Sequence, residues 1–258
     1  MKIVVTYQWA LDPQEASVGA DGSVDFSRAK AAISDYDATA IQAGRDLADA
    51  TGAALVGVSV GGPAAAQAVA TKAGLSRGLD EALVVADPSL QGAGTLATAQ
   101  VIAAAVKSLG DVSLVITGDA SLDSGSKMLA PVLGGVLGWP AFTDAGKIAV
   151  AGSAVTAERV LSEGVQTLSA QLPAVVGATS DAAKAKAPGM KDILAAGKKP
   201  VTVKTPADLG VALPAEGSVL SKGKLSGPAR KQARIDTADP AAAAQELVAA
   251  LRAAGVLG

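Results

Sequence analysis

Apolar positions follow two rhythms along this chain. Short, nearly unbroken runs of Val, Ile and Leu, closed by glycine or charge, predict strands at residues 2–7, 54–60, 81–86 and 112–117. Between them lie longer alanine-rich segments that predict helices at 34–51, 63–73, 95–109 and 126–137. In the first of these Ile41, Leu47 and Ala48 fall near helical spacing, and Asp35 or Asp37 is placed to cap it. Pro63 stands in the first turn of the second, after Gly61 and Gly62 end a strand. In the third, Leu96, Val101, Ile102, Val106 and Leu109 form one broad face. Strands that are apolar throughout, rather than on alternate residues, are buried on both faces. Their alternation with helices predicts an α/β fold built on a doubly wound, mostly parallel sheet.

After residue 140 the rhythm changes. Turn signals at short spacing separate residues 147–150, 154–161 and 164–170, which predicts antiparallel strands or hairpins. Residues 172–178 read as one more buried strand, with 171–176 in the core. Residues 180–200 are rich in Lys, Ala, Gly and Pro and predict an exposed loop with a short helix. Residues 205–238 carry no periodicity and predict an extended arm, followed by a terminal helix over 240–254 opened by Asp239 and Pro240. The expected organisation is therefore a core over 1–204 and an arm with its helix over 205–258, which packs on a partner subunit.

Composition narrows the chemistry. In 258 residues there is no histidine and no cysteine, and aromatic side chains make up 2%. This removes the commonest general base and zinc ligand, thiolate nucleophiles, disulfides and iron–sulfur ligation. A net charge of −2 without a basic block gives no footprint for nucleic acid. The first residues read as a strand rather than a signal peptide, and no apolar run is long enough to span a bilayer. The expected location is cytoplasmic.

One segment offers positive chemistry. The run from Val112 to Thr117 breaks at Gly118, a loop of small and acidic residues follows, and a helix is expected to open around Gly125 and Ser126. Strand, small-residue turn and helix start together present backbone N–H groups and a positive helix end to phosphate. No P-loop or catalytic lysine motif appears in 118–127, which argues against ATP hydrolysis or ligation.

Several segments in order resemble the beta subunit of electron transfer flavoproteins, and specifically its FixA branch. They are residues 20–27 (Ala-Asp-Gly-Ser-Val-Asp-Phe-Ser), 33–37 (Ile-Ser-Asp-Tyr-Asp) with Ala40 and Ile41, and 75–78 (Leu-Ser-Arg-Gly) with Asp80, Glu81, Val84 and Val85. Residues 94–99, 137–140, 172–176, Ile193 and 198–200 resemble the wider family. The resemblance implies an adenine-nucleotide hydrolase-like core whose C-terminal arm wraps a FixB-type alpha subunit. That subunit would carry the principal FAD, and the beta subunit would hold AMP or a second FAD. Electrons would pass to or from an acyl-CoA dehydrogenase- or reductase-type partner in anaerobic, carnitine-like metabolism or in reductant supply for nitrogen fixation. A different reading of the same core is a free-standing adenine-nucleotide sensor of the stress-protein type.

The resemblance assigns the nucleotide to Thr6, to Ser34, Asp35, Tyr36 and Asp37, to Val60, and to residues 118–127. The last group comprises Gly118, Asp119, Ala120, Ser121, Leu122, Asp123, Gly125, Ser126 and Lys127. Several of these have a plain structural reading beside the functional one. Asp35, Asp37 and Asp123 suit helix caps, Thr6 a strand position, and Ser126 a surface serine. Gly61, Gly62 and Pro63 suit a tight turn, and Tyr7 and Trp9 suit core or rim packing as well as a ring contact. Asp119, Ala120 and Met128 stand where many relatives carry a basic residue, Gln and Gln, and a carboxylate beside phosphate is unfavourable. The loop over 184–200 resembles the family's recognition loop, with Met190 as its anchor and Ile193 beside it. Lys191, Lys198 and Lys199 otherwise read as a solvated basic face.

Overall fold

The computed structural model describes residues 1–19, 21–121, 125–213 and 233–257. The chain forms two compact units, residues 1–218 and 219–258.

The first unit opens with β1 (Lys2–Thr6), then a short excursion of β2 (Trp9–Leu11), β3 (Ser17–Val18), β4 (Val24–Asp25) and β5 (Ala31–Ile33). It continues with α1 (Asp35–Thr51), β6 (Ala54–Gly61), α2 (Ala68–Leu75), β7 (Glu81–Ala86), α3 (Thr95–Leu109), β8 (Val112–Gly118) and α4 (Leu129–Leu137). Then come β9 (Ala141–Ala145), β10 (Lys147–Ala151), β11 (Ala154–Leu161), β12 (Gly164–Gln171), β13 (Ala174–Ala178), α5 (Met190–Ala196) and β14 (Val201–Lys204).

Seven strands make one sheet in the order β14-β7-β6-β1-β8-β13-β9, and every neighbouring pair is parallel. Alternate residues of each strand bury on opposite faces. Ile3, Val5, Leu114, Ile116 and Val176 pack with Ile41 of α1, Leu75 of α2 and Ala196 of α5. Val4, Val115 and Val175 pack with Val101, Ile102 and Val106 of α3 and Leu133 of α4. Each such aliphatic side chain, fully withdrawn from water, contributes about 1.5–3 kcal/mol. The fold is therefore the expected α/β arrangement, a central parallel sheet with helices on both sides.

The connection order positions the site. From β1 the chain builds outward through β6 to β7. It then returns across the sheet through α3 to place β8 on the other side of β1. The sheet thus reverses its winding between β1 and β8, and in such folds a crevice opens at the carboxyl ends of the strands there.

Several expectations need correction. The helix expected over 63–73 is a short turn at Pro63–Ala66 followed by α2, because Gln67 is extended (φ −65°, ψ 147°). The helix expected from Ser126 begins instead at Leu129, since Lys127 takes a left-handed conformation (φ 52°) that a helix cannot pass through. The buried strand expected from residue 172 starts at Ala174, and Gln171 is exposed at the end of β12. β10, β11 and β12 form the expected antiparallel sheet, and Val155 and Ala157 of β11 join the α1-side core.

Beyond β14, Leu209, Val211 and Leu213 still pack against the α3-side core. In the second unit, α6 (Pro240–Ala253) is capped by Asp239, whose carboxylate accepts from the Ala241 N–H at 3.0 Å. None of its residues is buried. Residues 214–232 of the expected arm lie outside the described residues.

Candidate functional site

A cleft of about 590 Å³ opens at the winding reversal, above the ends of β1, β6 and β8. Three local devices shape it, and the first is the start of α1. Ser34 is extended and its hydroxyl accepts from the Asp37 N–H at 3.0 Å, so Ser34, not Asp35 or Asp37, caps the helix. Asp37 does something else. Its carboxylate accepts from the Gln8 N–H at 3.0 Å and ties the helix to the chain leaving β1. Asp37 is buried and lines the cleft. Asp35 is exposed and acts electrostatically on Arg77, partly opposing the effect of burial, which pulls the Arg77 guanidinium below its usual range.

The second device is Gly118 at the end of β8. A Cβ there would lie 2.7 Å from Asp37 Oδ1 and 3.1 Å from the Tyr36 carbonyl carbon. The missing side chain lets α1 press onto β8, so Gly118 serves the packing of the cleft floor as well as lining it. Gly125 differs. It has open space where a Cβ would stand, and its φ of +57° is what requires glycine.

The third device is an ion pair. Asp119 follows Gly118, its N–H donates to the Ala178 carbonyl at 2.9 Å, and its side chain is 4% exposed. Lys127 Nζ lies 2.6 Å from Asp119 Oδ2 and 3.4 Å from Asp144 Oδ1, and its side chain is 55% exposed. The hydrogen bond to Asp119 raises the Lys127 pKa above its ordinary value. The acidic residue that the sequence set against phosphate is thus already paired with a cation of the same loop.

The structure brings together much of what the sequence nominated. Thr6, Asp37 and Val60 line the cleft, as do Gly118, Asp119, Ala120, Ser121, Ser126 and Lys127. Ser34, Asp35, Tyr36 and Gly125 do not, although Ser34 and Tyr36 support its floor. Leu122 and Asp123 lie outside the described residues. Ser126 is not at a helix start, and the cap position of α4 is Met128, which makes no side-chain cap bond. Tyr7 reaches the cleft, but its ring packs against Gly57 and Gly74. There its hydroxyl is buried without a hydrogen-bond partner and burial pushes the phenol pKa up.

Sequence reasoning missed other lining residues. Gln8 and Leu11 come from the excursion after β1, and Phe26 and Ala31 from the same excursion. Gln91, Thr95 and Thr98 come from the approach to α3 and its first turns. Only the crossing of these segments over the strand ends brings them to the site, so no local pattern announces them. A signal did exist in the paired glycines at 61–62, because a Cβ on Gly62 would strike the Gln91 side chain that lies over it.

A family model described as the electron transfer flavoprotein domain matches residues 21–209. The chain belongs to that family. Its role is of the electron transfer flavoprotein type, and the family is associated with flavin and nucleotide. In this flavoprotein domain the matched span runs from the excursion between β1 and α1 to just beyond β14. It contains every described lining residue from Phe26 to Leu129. Among the described residues no helix is long and apolar enough to cross a membrane.

The expected recognition loop carries α5. Met190 is 74% and Leu194 69% exposed, and Ile193 is exposed beside them, while Ala196 anchors the helix in the core. Asp192 accepts from the Gly189 N–H at 3.0 Å and closes the first turn. Lys199 is not part of a solvated face. Its ammonium donates to the Leu75 carbonyl at 3.0 Å and the Leu79 carbonyl at 2.6 Å, binding the loop to the end of α2. Burial lowers the pKa of that ammonium, with Asp80 acting against the shift.

Proposed function

We propose that the chain is the beta subunit of a heterodimeric electron transfer flavoprotein of the FixA-type branch. Its cleft binds AMP or a second FAD, and its partner is a FixB-type alpha subunit that carries the principal FAD. The complex works in the cytoplasm and carries electrons to or from an acyl-CoA dehydrogenase- or reductase-type protein in anaerobic, carnitine-like metabolism. The observation that carries this reading is a cleft of about 590 Å³ at the winding reversal, in a chain whose residues 21–209 match the family.

The cleft's size is within the range of small-ligand sites. The residues present suit a nucleotide. Trp9 and Phe26 offer ring surfaces, and the side chains of Gln8, Gln91, Thr95 and Thr98 offer neutral hydrogen-bonding groups. Thr6, Val60, Ser121 and Ser126 would complete the cradle, and Ser34 and Tyr36 would hold its floor. When bound, a flavin supplies the redox chemistry. The protein's own work is to orient it, exclude water around it and present the docking face. Met190 and Ile193, with Leu194, supply an apolar anchor for the redox partner.

Co-expression with a flavin-bearing alpha subunit, followed by denaturation and counting of released FAD and AMP per heterodimer, tests the reading. One FAD with one AMP, or two FAD without AMP, supports it and distinguishes the two ligands. A colourless homodimer that captures no flavin-bearing partner overturns it in favour of the stand-alone nucleotide sensor.

A further inference from the structure

Among the described residues that line the cleft, the ionisable acids are Asp37 and Asp119, the one lysine is Lys127, and there is no arginine. Asp37 is engaged with the Gln8 N–H at the start of α1. Asp119 is nearly sealed from solvent, so its negative charge depends on Lys127 at 2.6 Å for compensation. Asp144 reaches the same ammonium from the end of β9, at 3.4 Å. One cation is thus bracketed by two carboxylates. A phosphate that drew Lys127 away would leave a buried carboxylate unpaired beside a new anion. The remaining polar side chains of the lining are neutral: they can share hydrogen bonds with any part of a nucleotide but supply no charge to balance its phosphate.

We propose that Asp119 is a specificity determinant of the cleft: by holding the Lys127 ammonium it withholds the cleft's cation from phosphate, so the negative charge of a nucleotide's phosphate end adds little to the binding of its nucleoside. The inference rests on the reading of the cleft as a nucleotide site and adds which part of the ligand is read. Asp119→Asn keeps the shape of the side chain and frees the ammonium. Asp144→Asn, at an exposed position, loosens it less.

Calorimetric titration of the purified heterodimer, stripped of nucleotide, with adenosine, AMP and pyrophosphate tests it. In the wild type, adenosine and AMP bind within about threefold of each other and pyrophosphate does not bind measurably. Asp119→Asn raises AMP over adenosine by about tenfold or more and brings in pyrophosphate binding. Asp144→Asn gives a smaller gain in the same direction, and adding Lys127→Met to Asp119→Asn cancels it. A wild type that already prefers AMP by tenfold overturns the inference, as does an AMP-to-adenosine ratio that Asp119→Asn and Asp144→Asn leave unchanged. If neither adenosine nor AMP binds any variant, the AMP reading of the cleft fails, and the count of FAD per heterodimer judges the FAD reading. Pyrophosphate then decides the inference alone: capture by Asp119→Asn and not by the wild type supports a withheld cation, and no capture by either overturns it.

Discussion

Helices α1 and α4 both begin at the carboxyl edge of the sheet, on either side of the β8 end, and both border the same cleft, yet they begin in opposite ways. At α1 the cap hydroxyl, the Asp37 carboxylate and the side-chain-free surface of Gly118 interlock in a buried cluster. At α4 the cap position is Met128, without a side-chain bond, and the chain arrives through two left-handed residues, Gly125 and Lys127. Upstream of the helix, an ion pair that is buried at Asp119 and half-exposed at Lys127 ties this approach to the end of β8. The first start is rigid because each polar group is buried and satisfied by another. The second is held by charge that salt screens and alkaline pH removes. One wall of the site is scaffold and the other is adjustable.

The sharpest way to break this contrast is at its two glycines. Gly118→Ala puts a Cβ into contact with a carboxylate and with helix backbone, and is expected to cost about 2–3 kcal/mol in urea unfolding. Gly125→Ala meets no neighbour, so only its left-handed backbone is penalised, by about 1 kcal/mol. Equal costs at the two sites would show that the α1 start is not the stiffer wall.

A smaller effect is expected at the two serines. Ser34→Ala removes the α1 cap and orphans the buried Asp37 N–H, at about 1 kcal/mol. Ser126→Ala, in the irregular approach to α4, is expected to change stability by less than about 0.5 kcal/mol. The unfolding midpoints of the two variants, measured side by side, check the difference.

The same contrast explains what could be read from the sequence. β1, β6, β7 and β8 were legible because strands buried on both faces are apolar throughout, and the location of the cleft follows from their order. β9, with Thr143 and Asp144 inside it, and β14, with Thr202 and Lys204, were not legible. Both are short edge strands, where one side is open to solvent and polar residues cost little. The start of α1 was placed within one residue because cap-forming residues cluster at 34–37, although the pattern points to Asp35 or Asp37 as the cap and the cap is Ser34. The start of α4 was misplaced by three residues because polar residues upstream look like caps, while the residue that fills the cap position is a methionine. The pairing of Asp119 with Lys127 was also invisible. Eight positions separate them, and the span includes two left-handed residues, Gly125 and Lys127, that no periodic pattern foretells.

The smallest expected effect lies in that pair and shows itself in alkaline solution. Hydrogen bonding to Asp119 raises the Lys127 pKa above 10.5, so the folded chain holds this proton more tightly than the unfolded chain does. The stabilisation is therefore complete below the ordinary lysine range and is lost as pH rises through the raised value. Its size is small, below about 1 kcal/mol, because the lysine is half exposed. Tyr7, whose buried phenol also keeps its proton in the folded state, adds an alkaline loss of its own. That loss is common to wild type and Asp119→Asn and drops out of their difference. Urea unfolding from pH 9 upward should therefore show the wild type ahead of Asp119→Asn at first and the gap closing above about pH 10.5. A gap that persists unchanged to higher pH would mean that Asp119 stabilises the loop by something other than the Lys127 ammonium, and the wall at α4 would then be as fixed as the wall at α1.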